Sequence, residues 1–249
     1  MNGISGIGRD TSYYYNALSS GKKQPTAAAG AAELAQLVKQ NAAIDAYEAG
    51  EDNLVMAQSA ANIADGAMSG MSDYLQRANE LSIRMSNGLM SDSDRKIFQN
   101  EIDQMASGIR DIASNTKYNE TYLLNGDASQ ISVATDGNGG SQSLNIPDFL
   151  QTLKENRLDT EGISKAFESL SSARSKVGAQ TNGIEYAMNV NRKTAEDLTA
   201  ASSRLGDTDY ASATSGLKRN QVMEQYSQMM QRQKMQAQET AAQGWFNNL

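Results

Sequence analysis

The sequence predicts a mainly α fold, an elongated antiparallel helical bundle or coiled coil with one small β-hairpin region. Three observations predict it. Apolar residues recur in alternating steps of three and four along several long segments, which is the spacing of a helical seam. Aromatic residues make up only 6% of the 249 positions and there are two prolines, while Ala, Ser, Gln, Asn and Met are abundant. Such side chains fill thin bundles whose backbones approach closely, not the centre of a thick globule. Finally, period-two alternation is confined to one short region.

The first 25 residues are glycine, serine and polar residues around Tyr13-Tyr14-Tyr15; they are expected to fold little on their own. From Thr26 the pattern turns helical. Ala28, Ala31, Ala35, Val38 and Ala42 share one face and Leu34, Leu37 and Ile44 another, which predicts burial on more than one side. The strongest seam follows "AGEDN": Leu54, Ala57, Ala61, Ala64, Met68, Met71, Leu75, Ala78, Ser82 and Met85. Its alanines imply a closely approaching partner. Ser86-Asn87-Gly88 is a stop signal, and Ser91-Asp92-Ser93-Asp94 supplies an N-cap with acidic residues in the first turn. A second seam then runs through Phe98, Ile102, Met105, Ile109 and Ile112, so the two segments form an antiparallel hairpin that needs a third helix.

That helix comes late. Ile163, Leu170, Val177, Ile184, Asn191, Leu198 and Leu205 recur every seven residues, with Phe167, Met188 and Ala195 between them. Asn191, polar on an apolar seam, sets register at some expense of stability. Between the second and third seams, "QISVATD" and "SQSLNIP" alternate around "GNGG", which predicts a β-hairpin. The last 40 residues are helical, rich in Gln and Met, and end on Trp245, Phe246 and Leu249, which lack an obvious partner inside the chain.

Composition narrows function. A net charge of −7 disfavours nucleic acid and anionic membrane as partners, because both require a basic surface. With no Cys and no His the chain has no thiolate, no imidazole and no zinc site of the usual kind. No nucleophile, base and orienting group cluster in the sequence, so neither enzyme chemistry, nor a cofactor, nor a metal is expected. No apolar run reaches membrane-spanning length, and the N-terminus has no basic start followed by an apolar core.

Several motifs, in order, resemble bacterial flagellin. They are "LSSGKKQPTAAAGAAELA", "NLVMAQSAANIADGAMSGMSDYLQRANELSIRMSNGLMSDSDRKIFQNEIDQM", "IRDIASNTKYNETYLLNG", "ISKAFESLSSARSKVGAQTNGIEYAMNVN" and "LTAASSRLGDTDYASATSGLKRNQVMEQ". Together they cover most of the chain. The resemblance implies a structural subunit of the flagellar filament, serving motility, that self-assembles by coiled-coil packing of helices from both termini. It implies residues 1–31 as a shortened N-terminal arm, disordered in the monomer. Residues 32–205 would form the helical bundle with its hairpin at 117–149, and residues 206–249 the C-terminal helix. The segment before "LSSG" is about a dozen residues shorter than the family's, with Gly3, Gly6 and Gly8 where a helical run is expected.

Partners implied by the resemblance are further copies of the chain, a secretion chaperone, the type III export apparatus, and the cap and hook-associated proteins. The location implied is the extracellular filament, reached without a cleaved signal peptide. The resemblance also marks a patch read by the vertebrate Toll-like receptor for flagellin: Gln76, Arg77 and Leu81 on the first helix of the hairpin and Glu101 on the second. Asn79 stands where many flagellins carry a second Arg. The bundle core is expected from Leu54, Met68, Met71, Leu75, Ile102, Met105, Ile109, Ile112, Leu170, Val177, Ile184 and Leu198. The assembly and chaperone-binding segment is expected from Val222, Met223, Tyr226, Met229, Met230, Trp245, Phe246 and Leu249.

Two rival readings are a hook-filament junction protein, which shares the core, and a non-flagellar coiled-coil interaction module. Weaker signals are the sequon Asn119-Glu120-Thr121, serines and threonines between Ser129 and Ser143 open to O-linked sugar, and the acidic fragments "DTDY" and "DGNGG". The last two resemble pieces of calcium loops but lack the ligand spacing and closing Glu.

Overall fold

The computed structural model describes residues 2–23, 30–151 and 160–246, with side chains described at 11–23, 30–151 and 161–240. Helix α1 spans Asn2–Ser20, α2 Ala31–Met85 and α3 Asp92–Asn115. Two small hairpins follow, β1 Lys117–Tyr118 with β2 Thr121–Tyr122, and β3 Ile131–Ala134 with β4 Ser141–Leu144. Helices α4, Thr160–Gly206, and α5, Tyr210–Phe246, complete the order. The chain forms two compact units, residues 43–196 and residues 1–42 with 197–249.

In the unit of residues 43–196, buried side chains of α2, α3, α4 and the hairpins form one apolar cluster. The α2 seam is buried from Leu54 through Ser82, and Met85 is half-buried. On α3, Ile102 and Ile109 are buried while Phe98, Met105 and Ile112 pack at the edge. On α4, Ile163, Leu170, Val177, Ile184 and Asn191 are buried in their sevenfold spacing.

Cross-contacts establish the directions. A Cβ built on Gly70 would lie 3.7 Å from Ile112, one on Gly108 would lie 3.0 Å from the Tyr74 ring, and Arg77 bonds Glu101, so α2 and α3 are antiparallel. Arg174 grips Asp65 through two bonds of 2.8 and 3.3 Å, and Arg192 pairs with Glu51, so α2 and α4 are antiparallel too. Ser91 caps α3, its hydroxyl accepting from the Asp94 amide at 3.1 Å.

The β3–β4 hairpin pairs Ile131 with Leu144 and Ala134 with Ser141, as the alternation predicts. Val133 and Leu144 point into the core and Ser132 and Ser143 away from it. The second hairpin, β1–β2, was not read from the sequence, since two-residue strands carry no periodicity. Its turn places Asn119 at φ 52°, a left-handed conformation that asparagine tolerates.

Three expectations change. Residues 2–20 are helical despite their glycines, because α5 supplies a surface for them to cover. Of the two faces expected to be buried at the start of α2, only one is covered. Leu34, Leu37 and Ile44 are half-buried, whereas Ala31, Ala35, Val38 and Ala42 are exposed; Ala28 lies outside the described residues. The compact units divide after residues 42 and 196, not after 31 and 205, and Leu198 is only half-buried. The reason is visible in the unit of residues 1–42 and 197–249. A Cβ on Gly206 would lie 2.9 Å from Leu37, and Ser202 bonds Asn41 at 3.0 Å, so the first turns of α2 belong with the end of α4.

Candidate assembly surface

Helix α1 is held to α5 by its tyrosines. The Tyr13 and Tyr14 rings meet edge to face at 5.5 Å. Tyr14 lies against Gly216, where a Cβ would approach its ring to 2.5 Å, so only glycine admits the ring there. Gln221 donates to the Tyr15 hydroxyl at 3.1 Å.

The end of α1 is tied to the α4–α5 corner by backbone bonds. The Lys23 amide donates to Gly206 O at 2.7 Å and the Thr208 amide to Gly21 O at 2.9 Å, with Gly21 at φ 68°. Tyr13 donates to Lys23 O, and Lys22 pairs with Asp207 at 3.2 Å. The Ser203 hydroxyl, donating to Asp207 at 2.6 Å, and then Lys22 hold the Asp207 carboxyl below its ordinary pKa.

Beyond this corner α5 presents Val222, Met223, Tyr226, Met229, Met230 and Met235, between 37% and 63% exposed. All five of the expected residues between 222 and 230 are thus brought to one solvent-facing helix. The side chains of Trp245 and Phe246, at the end of α5, and Leu249 lie outside the described residues. Met235 escaped the sequence reading because it stands off the three-and-four spacing that joins Val222, Tyr226, Met229 and Met230. Flexible methionines give an apolar surface that adapts to different partners.

The patch marked on the α2–α3 hairpin is only partly at the surface. Gln76 and Arg77 are exposed and Glu101 is half-buried. Arg77 donates to Glu101 through Nε at 3.1 Å and Nη2 at 2.9 Å and to Glu80 at 3.2 Å, which raises its pKa further, Glu101 first. Leu81 is a correction: its side chain is completely buried. Adjacent Leu81 and Ser82 are both covered because α2 at this point is flanked on a wider arc than one seam requires.

The same hairpin ends in an apolar tip. Leu89 is 95% exposed, and Ile83 and Ile97 are also exposed. At the other end of the unit a cleft of about 410 Å³ opens between α2 and β3, lined by Met56, Ala57, Ala60, Leu123, Ile131 and Val133 among others. The signal for the tip was present in "SNGLMSDSD", where Leu89 and Met90 interrupt a polar turn.

The acidic fragments act within the chain. Asp209 accepts from the amides of Ala211 and Ser212 at the start of α5, and Asp136 from those of Asn138 and Gly140 in the β3–β4 loop. Among the described residues no group of three acidic side chains could hold a metal ion, and no helix is long and apolar enough to cross a membrane.

Residues 2–129 match the family model of the bacterial flagellin N-terminal helical region, and residues 160–240 match that of the C-terminal helical region. A flagellin of Listeria monocytogenes is 28% identical over 243 residues, covering 84% of this chain and 83% of that one. The flagellar filament 33 kDa core protein of Treponema phagedenis is 27% identical over 248 residues, covering 88% and 87%. Among solved structures, a Bacillus cereus flagellin superposes with a TM-score of 0.51 at 21% identity, over 56% of this chain and 88% of that one. A putative flagellar hook-associated protein from Vibrio parahaemolyticus gives 0.56 at 10% identity, over 68% and 95%. The two structural likenesses speak for the fold alone.

Proposed function

The chain belongs to the bacterial flagellin family and is a structural subunit of the flagellar filament, and we propose that it assembles by burying the outward face of α5 against identical subunits. Motility is the role that the family implies. The observation carrying the proposal is the exposed row Val222, Met223, Tyr226, Met229 and Met230. Each buried square ångström of such surface contributes roughly 25 cal/mol, and this gain must exceed the entropy lost when a subunit is immobilised. A long shared face repeated between neighbours supplies it.

Before assembly the same face is the surface that a secretion chaperone covers, and release from it precedes export through the type III apparatus. Cap and hook-associated proteins meet the chain at the filament ends. Gln76, Arg77 and Glu101 are the residues a vertebrate Toll-like receptor would read on free subunits, with Arg77 exchanging its bond to Glu101 for the receptor.

Deleting the last 40 residues tests the assembly reading. Seeded with filament fragments and viewed by electron microscopy, the full chain is expected to grow long filaments and the truncated chain none, while circular dichroism reports an intact central bundle. A full chain that only decorates seed ends would be a junction protein. Filaments grown by the truncated chain would remove α5 from the mechanism.

A further inference from the structure

Asparagine followed by glycine is the pair at which a side-chain amide is most readily lost, because glycine has no Cβ to obstruct attack by its backbone nitrogen. The chain holds five such pairs, at Asn2, Asn87, Asn125, Asn138 and Asn182, and the side chains of the last four are described. The structure separates those four. Asn182 lies within α4, where the Gly183 amide belongs to the helical ladder, and a Cβ on Gly183 would stand 2.9 Å from Gln142 Nε2. The Asn125 side chain is held through both its polar atoms by Asp127, accepting from its backbone amide at 3.0 Å and donating to its carboxylate at 3.0 Å. Asn87 Oδ1 accepts from the Leu89 amide at 3.0 Å.

Asn138, in the β3–β4 loop, has none of these restraints. Its side chain is exposed, and neither that side chain nor the Gly139 amide has a hydrogen-bond partner among the described residues. Gly139 sits at φ 90°, and a Cβ built there would meet nothing within 4 Å. The loop around the pair is pinned. Asp136 Oδ1 accepts from the Asn138 and Gly140 amides, both at 2.8 Å. The Thr135 amide donates to Gly140 O at 2.9 Å, and Thr135 O takes the Asn191 side-chain amide at 2.6 Å.

We propose that Asn138 is a site of spontaneous covalent modification that loosens the β3–β4 loop as the protein ages. Hydroxide takes the proton of the Gly139 amide, and the freed nitrogen bonds to Asn138 Cγ. The Cγ–Nδ2 bond breaks, and Nδ2 leaves as ammonia after taking a proton from water, which regenerates the hydroxide. Water then opens the succinimide ring, at Cγ to give aspartate or at the Asn138 carbonyl carbon to give isoaspartate; no oxidant or reductant takes part. Isoaspartate routes the main chain through the former side chain and so adds one carbon to a loop tied on both sides. Both products place a new carboxylate beside that of Asp136, and the two like charges repel. The bonds from Asp136 to the Asn138 and Gly140 amides are the ones that give way.

The full chain, incubated in mildly alkaline buffer made with oxygen-18 water, is digested at intervals and its peptides are weighed by mass spectrometry. The Asn138 peptide is expected to lose its amide and take up heavy oxygen about tenfold faster than those of Asn87, Asn125 and Asn182. In urea, where only the local sequence acts, the four rates are expected to converge. Earlier loss at any of the other three, or the same order in urea, would overturn the role given to the loop. As a second arm, hydrogen exchange is compared before and after the incubation in the parent and in Asn138→Gln, whose longer side chain closes the ring far more slowly. Amides of residues 136–141 are expected to exchange severalfold faster in the incubated parent and to stay unchanged in the variant. Amide loss at Asn138 without faster exchange would overturn the loosening of the loop.

Discussion

The side-chain amide of Asn191 on α4 donates to the carbonyl of Thr135 at 2.6 Å, and that carbonyl rests against Gly50 of α2. A Cβ on Gly50 would stand 1.8 Å from Thr135 O and 3.0 Å from Asn191 Nδ2. One polar residue and one glycine thereby lock the β3–β4 loop between two helices. The "AGEDN" segment, after which the strongest seam begins, lies inside the continuous helix α2.

Gly50→Ala is therefore expected to destabilise the protein. Helix propensity alone favours alanine by about 1 kcal/mol, but forcing a methyl against a fixed backbone carbonyl costs about 3 kcal/mol, and the clash wins. Gly66→Ala, on the same helix with nothing within 4 Å, is the control and is expected to stabilise by up to about 1 kcal/mol. Urea denaturation of both variants checks this. A stabilising Gly50→Ala would refute the close approach.

Removing the other half of the lock leaves an acceptor unpaired. Asn191→Leu is expected to lose about 1–3 kcal/mol, since the half-buried Thr135 carbonyl, packed against Gly50, loses its donor. Slower hydrogen exchange in the β3–β4 loop of this variant than in the parent would contradict that account.

Leu81 and Gln76 separate core from surface in the α2–α3 hairpin. Leu81→Ala is expected to lose about 2–5 kcal/mol by leaving a cavity, and Gln76→Ala to stay within about 0.5 kcal/mol of the parent. Thermal denaturation distinguishes them. Equal effects would mean that Leu81 is not the buried member of the pair.

The receptor reading is accordingly tested without Leu81. Arg77→Ala and Glu101→Ala are expected to keep the fold and each to weaken binding to the isolated receptor ectodomain. Unchanged affinity in both variants would remove that partner.

Asp207 makes the α1 tie to the α4–α5 corner acid-sensitive. Its folded pKa lies below the ordinary carboxylate value of about 3.9, so its contribution is present above that value and disappears as pH falls through the lower folded one. In a carboxyl-carbon NMR titration, Ser203→Ala should move the Asp207 midpoint upward by more than Lys22→Gln does, because the hydroxyl bond is the larger cause. The reverse order would show that the lysine governs it.

Much of the helical bundle was legible because its information is periodic. Leu54 through Ser82 and Ile163 through Asn191 declare a buried stripe by spacing alone, and every one of those α2 seam positions is buried. The β3–β4 hairpin was legible from alternation around a glycine-rich turn. Leu81 was misplaced because a family match marks a position in the chain and does not report how widely neighbours wrap the helix. Helix α1 was missed because its glycines lower local propensity, whereas the packing of Tyr14 against Gly216 is a contact across some 200 residues.

Taken by itself, the sequence determined the helical class, the order of the seams, the hairpin and the membership of a self-assembling family, all of which follow from local spacing and ordered motifs. Only the tertiary structure decided which faces are covered: that Leu81 is core, that Ala31, Ala35, Val38 and Ala42 are bare, that Gly50 is a contact between α2 and the β3–β4 loop, and that Leu89 stands out from an ordered turn. The physical reason is that periodicity names a helix's apolar side, whereas burial depends on a neighbour that lies elsewhere in the chain or on another copy of it.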